Sequence, residues 1–383
     1  MDTERLQISF TYKPLKEALK YIIILMATAE QASNCLLQCG FTQCGLKGIH
    51  NLGNTCYINS IFQCLGYCNV FLNYVLGAKY KQSLRNSDIS ILENLRDLYT
   101  NIWINNEVTR PHELLKAIYN KCNKIINIFE QNDINEFMAI IIDKMSAEIY
   151  KPYDIVHKIY RESIYDRQRK KMDDSWMMSH KKEYSDLTDM FFGQMISQII
   201  CGNCGKIHHN YEVIMNMMLS LGDCNNMIDC LDRYFTEEYI NNSENYKENT
   251  WKCDECNKCI KSKKTIKLWR LPKILIVSLK RFNSGLKKIT TSISVPMQID
   301  LSKYMIGPST CNSYTLKSIA FHMGSFQYGH YFAACKNSGK WYIFDDEVVK
   351  EIENIEDAIS NGYVYFYEVD EAGLGGRSIF SIS

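Results

Sequence analysis

From Gly45 to about Met145 apolar residues recur at the three-and-four spacing of helices. Ile89 to Ile102 and Pro111 to Ile128 carry the pattern most clearly. Ile58, Ile61, Phe62 and Leu65 place an apolar face on a further helix that starts near Cys56. From Thr265 onward the pattern shortens to runs rich in Ile, Val, Tyr and Phe. Ile274 to Leu279, Tyr314 to Phe321, Tyr331 to Ala334, Trp341 to Phe344 and Tyr363 to Tyr367 read as strands. Helices first and strands later predict an α+β chain with a helical lobe ahead of a sheet.

Three stretches fall outside this scheme. Lys151 to Asp189 is crowded with charge, as in RESIYDRQRKKMDD, and its weak apolar periodicity reads as an exposed insertion or mobile loop. Residues 1 to 44 hold Tyr21 to Ala29, YIIILMATA, which ends in small residues like a signal-peptide boundary. The run is too short to span a bilayer, and its leader carries Asp2, Glu4 and Glu17, so it reads as an amphipathic or buried helix. Glu371 to Ser383 has three glycines and no period, which predicts a flexible tail.

With 383 residues and 46% apolar content, the chain can bury a core sized for one large domain or two to three lobes. A net charge of +1 gives no bulk electrostatic reason to expect nucleic acid or a polyacidic partner. Sixteen cysteines would suit disulfides in a secreted chain. Here a candidate catalytic thiol and paired CxxC motifs favour a reducing compartment, cytoplasm or nucleus, with no membrane partner.

The candidate chemistry lies in two distant segments. Cys56 follows Gly53-Asn54-Thr55 at a helix start, where unpaired N–H groups and the macrodipole favour thiolate. His330 and Asp345 lie far downstream, and Asp345 follows the apolar Trp341-Tyr342-Ile343-Phe344. A thiol, an imidazole to take its proton and a carboxylate to hold the imidazole tautomer form a thiol-protease triad. Asp346 is the alternate or supporting carboxylate. A cysteine on a helix is more often a small buried hydrophobe, so Cys56 alone would say little.

Cys201-x2-Cys204 and Cys253-x2-Cys256 form a second constellation, whose four thiolates suit a closed, structural zinc site. Cys259 is an alternative to Cys256, and His208 and His209 read as surface residues. Cys35, Cys39 and Cys44 have loose metal-ligand spacing without a histidine, so they read as helix-packing cysteines.

Whole stretches carry more than these single residues. NLGNTCYINSIFQCL from Asn51, and the GHY-to-W-to-FDD block ending at Asp346, resemble the two signature boxes of the ubiquitin-specific proteases, papain-like cysteine peptidases of family C19. FEQNDINEFMAIIIDKM from Phe129 resembles the family's Gln-x-Asp-x-x-Glu-Phe segment. FFGQMISQIICGNC from Phe191 resembles the approach to its zinc site, and Tyr211 to Leu221 and LPKILIVSLKRF from Leu271 follow in the family's order. The resemblance spans Gly45 to Tyr367, and six ordered blocks are far more specific than one motif.

The resemblance implies a helical thumb, an antiparallel palm and zinc-ribbon fingers. The catalytic domain would run from 45 to 368, after an N-terminal extension of residues 1–44 and before a tail of residues 369–383. The thumb would cover about 45–190 and the fingers about 191–267, within a fingers and palm region of 191–368. It also implies that Asn51 supplies a side-chain donor to the oxyanion, beside the Cys56 backbone N–H. Gln131 and Asp133 would hold the extended C-terminal tail of ubiquitin, although Asp133 and Glu136 also stand at the spacing of a helix N-cap pair. Asn132 departs from the family's usual glutamine. Gly329 would leave room for a narrow channel with Tyr331 packed along it, and His322, in an H-x-G pattern, would be structural.

The expected function is thiol-dependent deubiquitination, with ubiquitin and ubiquitinated proteins as partners and room for an activating protein. The rivals are an inactive ubiquitin-binding scaffold, a protease for another modifier and a pure zinc-ribbon module. The complete set Cys56, His330, Asp345 and Asn51 argues against the first and last.

Overall fold

The computed structural model describes residues 44–85, 89–151, 163–181, 183–240, 251–308, 311–326 and 328–370. The expectations for Tyr21 to Ala29, for Cys35 and Cys39 and for the tail from Glu371 fall outside these residues. The helices are α1 (Cys56–Gly66), α2 (Asn69–Leu76), α3 (Ile91–Thr100), α4 (His112–Cys122), α5 (Ile134–Ile149), α6 (Ile164–His180), α7 (Asp186–Phe191), α8 (Met227–Phe235) and α9 (Ile355–Ile359). The strands are β1 (Gly193–Ile200), β2 (Ile207–Ile214), β3 (Asn216–Ser220), β4 (Glu238–Ile240), β5 (Ser262–Arg270), β6 (Ile274–Lys280), β7 (Gln298–Asp300), β8 (Ser313–Gly324), β9 (Gly329–Asn337), β10 (Lys340–Asp345), β11 (Val348–Ile352) and β12 (Val364–Val369). The architecture is α+β, as the periodicity predicts.

The larger sheet has the order β11-β10-β9-β8-β12-β6-β3, with β7 on β8. Its pairs are antiparallel except β3 with β6, so the sheet is mixed at that edge and not wholly antiparallel as expected. β6 and β12 read as continuous apolar runs because both their faces are covered. Ile274, Ile276, Val364 and Phe366 join the core around α1, whereas Leu275, Val277, Tyr365 and Tyr367 join the core that contains α8.

α1 is buried on every side, not along one stripe. Tyr57 and Phe62 meet the edge of Phe137 on α5, while Ala320 and Ala333, paired across β8 and β9, belong to the same core. Its polar residues are consumed internally. Asn59 donates to the Ile49 carbonyl, Gln63 to that of Lys47, and Ser318 of β8 donates to Cys64 O. The helix that opens at Cys56 is therefore fixed by both the helical layer and the sheet.

A second sheet, β2-β1-β5-β4, is built from two stretches of chain, and between them the chain returns to the larger sheet as β3 and α8. α6 packs beside this sheet and corrects the reading of 151–189 as loop. Met172, Trp176 and His180 are buried at four-residue intervals, and Met172 clusters with Ile196 and Trp269. Arg270 lies over the Trp176 ring at 4.5 Å. One narrow buried stripe suffices for a helix whose other faces are charged.

Candidate active site and metal cluster

Cys56 is the first residue of α1 and is only 5% exposed. Burial is the main influence on its thiol and pushes it above the usual cysteine value. The Tyr331 backbone N–H pulls the other way, the Asp346 charge adds to the rise, and the N–H groups of Tyr57 and Cys56 oppose it. The helix terminus therefore does not by itself yield the lowered thiol expected from position alone.

The Tyr331 amide that reaches the sulfur belongs to β9, one residue after His330. His330 Nε2 lies 2.6 Å from Asp345 Oδ1, at the end of neighbouring β10. Asp346 follows with φ 50°, in the left-handed region that Asp tolerates better than most residues. That turn swings its carboxylate elsewhere. Asp346 Oδ2 accepts from Asn51 Nδ2 at 2.9 Å and Oδ1 accepts from Asn59 Nδ2 at 2.8 Å. Its carbonyl accepts the Ile49 N–H at 2.9 Å, and a side chain at Gly48 would collide with that carbonyl oxygen.

Asn51 is held from both ends. Its Oδ1 accepts from the backbone of Gly53 and Thr55 and from the Thr55 hydroxyl, at 3.0 to 3.2 Å. The amide orientation is thereby fixed, with one N–H on Asp346 and a second available on the same nitrogen. Asn59, which sequence reasoning missed, left one sign: with Ser60 and Gln63 it is a polar residue in a helix that is otherwise apolar.

Asp133 caps α5 with Oδ1, accepting from the Asn135 and Glu136 backbones at 2.8 and 3.3 Å, and its Oδ2 accepts from the Tyr363 hydroxyl at 2.8 Å. Gln131 Oε1 accepts the Gly329 N–H at 3.1 Å. The space beside Gly329 is taken by His322, whose Nε2 would sit 2.0 Å from an added Cβ. His322 is neutral, pulled down to about 4 by burial and then by the Lys288 charge. Tyr331 is buried, with its ring against His322. Asn132, the departure from the family pattern, donates to the Tyr57 hydroxyl at 3.0 Å and to the carbonyls of Asn127 and Glu130 at 2.9 Å each. It fixes the 127–132 turn to the residue after Cys56.

The sequence profile described as "Ubiquitin carboxyl-terminal hydrolase" matches residues 47–367. The chain belongs to this family. It is 28% identical over 344 residues to human ubiquitin carboxyl-terminal hydrolase 2, covering 85% of this chain and 55% of that protein. It is 29% identical over 334 residues to Usp2 of Drosophila melanogaster, covering 85% of this chain and 35% of that one. The chain thus spans about half or less of the length of these relatives. The fold resembles the Ubp8/Sgf11/Sus1/Sgf73 module solved with ubiquitin aldehyde, at TM-score 0.65 and 22% identity, over 88% of this chain and 74% of that one. The same module bound to monoubiquitin gives 0.64 and 22%, over 85% and 69%.

This ubiquitin carboxyl-terminal hydrolase family chain also gathers Cys201, Cys204, Cys253 and Cys256, with all four sulfurs within 4.8 Å of one another. Two similar turns build the cluster. In each, the first cysteine donates its N–H to the lysine five residues on, and its carbonyl accepts from a residue with positive φ, Gly205 at 70° or Asn257 at 56°. Glycine and asparagine are the residues that tolerate that conformation. Cys201 with Cys256, and Cys204 with Cys253, stand 3.7 Å apart. Thiolates about 2.3 Å from a tetrahedral ion lie on the order of 3.8 Å apart, so the set fits a structural metal such as zinc. The N–H groups of Cys204 and Asn203 draw the Cys201 thiol down to about 6. Cys259 is exposed and outside the cluster. His208, read as a surface residue, has Nε2 at 3.3 Å from Cys253 Sγ. Among the described residues no helix is long and apolar enough to cross a membrane.

Proposed function

We propose that this chain is a thiol-dependent deubiquitinase that cleaves the isopeptide or peptide bond after the C-terminal glycine of ubiquitin. The observation that carries the reading is the seam between α1 and β9: the Cys56 sulfur meets the amide next to His330, whose imidazole is held by Asp345 at 2.6 Å. With Nε2 turned to Asp345, Nδ1 is the nitrogen for the thiol proton. Cys56 Sγ attacks the glycine carbonyl carbon as His330 takes the proton, and His330 returns it to the leaving amine. Water, activated by the same imidazole, then attacks the thioester and frees the ubiquitin carboxylate and the Cys56 thiol. Asn51 Nδ2–H and the Cys56 N–H receive the oxyanion, and Asp346 keeps Asn51 aimed. Gln131, Asp133, Gly329 and Tyr331 flank the ubiquitin tail.

Zinc is the metal of the four-cysteine cluster; when bound it ties the two finger turns together, and no step of hydrolysis passes through it. The chain divides into an extension of residues 1–44, a catalytic domain from 45 to about 368 with its thumb at about 45–190 and fingers within 191–267, and a tail that begins where β12 ends after Val369. Ubiquitinated proteins of the cytoplasm or nucleus are its substrates.

The test is ubiquitin carrying a thiol-reactive group at its C-terminus, mixed with the chain and with Cys56→Ala. A covalent adduct that needs Cys56 supports the reading. A folded, metal-loaded chain that gives none overturns it as an independent activity. The buried, raised thiol favours a second reading, in which a protein partner completes the active form. The solved neighbour Ubp8 is accompanied by Sgf11, Sus1 and Sgf73.

A further inference from the structure

We infer that His208 is a positioning residue of the metal cluster: its Nε2–H donates to the Cys253 sulfur and holds that thiolate in the shell. The inference rests on the zinc reading above. The distance is 3.3 Å, and the imidazole packs against one ring. His208 lies on β2 opposite Ile199 of β1, and its ring meets the edge of Trp251 at 5.1 Å and 75°. Trp251 stands two residues before Cys253, so one short stretch of chain presents both the sulfur and the ring that steers the imidazole.

Charge explains why Cys253 needs a donor. Four thiolates around a divalent ion leave two negative charges on the sulfurs. Cys204 is exposed and its share is hydrated, whereas Cys253 is 0% exposed. Its own N–H is spent on Lys258 O, so within its turn Cys253 cannot serve its own sulfur. A side-chain N–H supplies a charge-assisted hydrogen bond to a sulfur that burial keeps from solvent, and fixes its position in the shell. Four sulfurs already complete the tetrahedron, so the imidazole acts on a ligand without becoming one.

The test uses the whole chain loaded with zinc or cobalt(II). His208→Phe keeps a flat ring against Trp251 without the donor, His208→Leu is a second donor-free side chain, and His208→Gln restores an N–H. Circular dichroism before chelation checks that each variant enters the assay folded. The expected result is that all four proteins show the cobalt bands of a four-sulfur site, while the Phe and Leu variants surrender zinc to a chromophoric chelator on the order of tenfold faster. His208→Gln stays near wild type. Release at the wild-type rate from the donor-free variants overturns the inference and leaves the zinc reading standing. Cobalt bands of a mixed nitrogen and sulfur site in the wild type overturn it by making His208 a ligand. A wild-type chain that takes up no metal overturns both.

Discussion

The side-chain amide of Asn51 is tied to Asp346 at 2.9 Å, while Asp345 takes His330 at 2.6 Å, so two adjacent carboxylates serve two different partners. Their amide variants should fail differently. Asp345→Asn offers His330 a group that no longer favours the required tautomer or imidazolium, and kcat should fall roughly a thousandfold with an altered pH profile. Asp346→Asn turns an N–H toward one of the two amides that now donate to it, loosening Asn51. The loss there should be about tenfold to a thousandfold in kcat, with the pH profile kept. Hydrolysis of a ubiquitin–fluorophore conjugate from pH 6 to 9 reads both; identical profiles for the two variants would contradict the division of roles.

The raised thiol sets a second expectation. Burial favours the protonated form, so the free enzyme should hold little thiolate at neutral pH. Alkylation of Cys56 by a small neutral reagent should be slow at pH 7 and climb continuously through pH 9, followed by mass spectrometry of the peptide containing Cys56. A thiolate–imidazolium pair already formed in the free enzyme would give a rate that is flat across this range. That flat profile would show that the imidazole outweighs burial before substrate arrives.

The candidate thiol, imidazole and carboxylate were picked out because their neighbours form ordered blocks, and the pairing of His330 with Asp345 and the clustering of the two CxxC pairs were legible in the same way. What escaped is held by contacts across the chain. Asn59 to Asp346, Asn132 to Tyr57 and His208 to Cys253 join residues that no local period connects. α6 escaped because Met172, Trp176 and His180 form a narrow stripe among charges, one of which, Asp173, is itself buried. β2 escaped because IHHNYEVI is mostly exposed or half-buried and has no apolar face to announce it. At Gly329 the side on which a Cβ would project is filled by His322, a neighbour the sequence did not name for it. Spacing gives the need for a missing side chain but not the identity of the neighbour that requires it.

The ligand set of the metal cluster is separable by single substitutions. Cys256 lies 3.7 Å from Cys201, and Cys259 is exposed beyond the turn. Cys259→Ser should retain one zinc per chain and the wild-type melting temperature. Cys256→Ser should lose zinc and with it the tie between the two finger turns, which amide hydrogen exchange would register as lost protection in β1, β2 and β5. Metal analysis that found Cys259→Ser depleted and Cys256→Ser full would exchange the two ligands.

Glu148 supplies a stability test remote from the chemistry. It lies near the C-terminus of α5, where a carboxylate opposes its own helix dipole, and its side chain is 2% exposed. Its reward comes from another helix. Oε1 accepts the Ile91 N–H at 2.7 Å, and Oε2 accepts the Leu92 N–H at 3.1 Å and the Ser90 hydroxyl at 2.7 Å, all at the start of α3. Lys121 of α4 approaches within 3.2 Å, so one carboxylate joins three helices behind α1. Glu148→Ala would leave first-turn amides of α3 buried without an acceptor and should cost about 2–4 kcal/mol. Lys121→Met removes a partly exposed partner and should cost under about 1 kcal/mol. Urea unfolding followed by tryptophan fluorescence gives both values. Equal costs would mean that the ion pair, and not the capping of α3, is what Glu148 contributes.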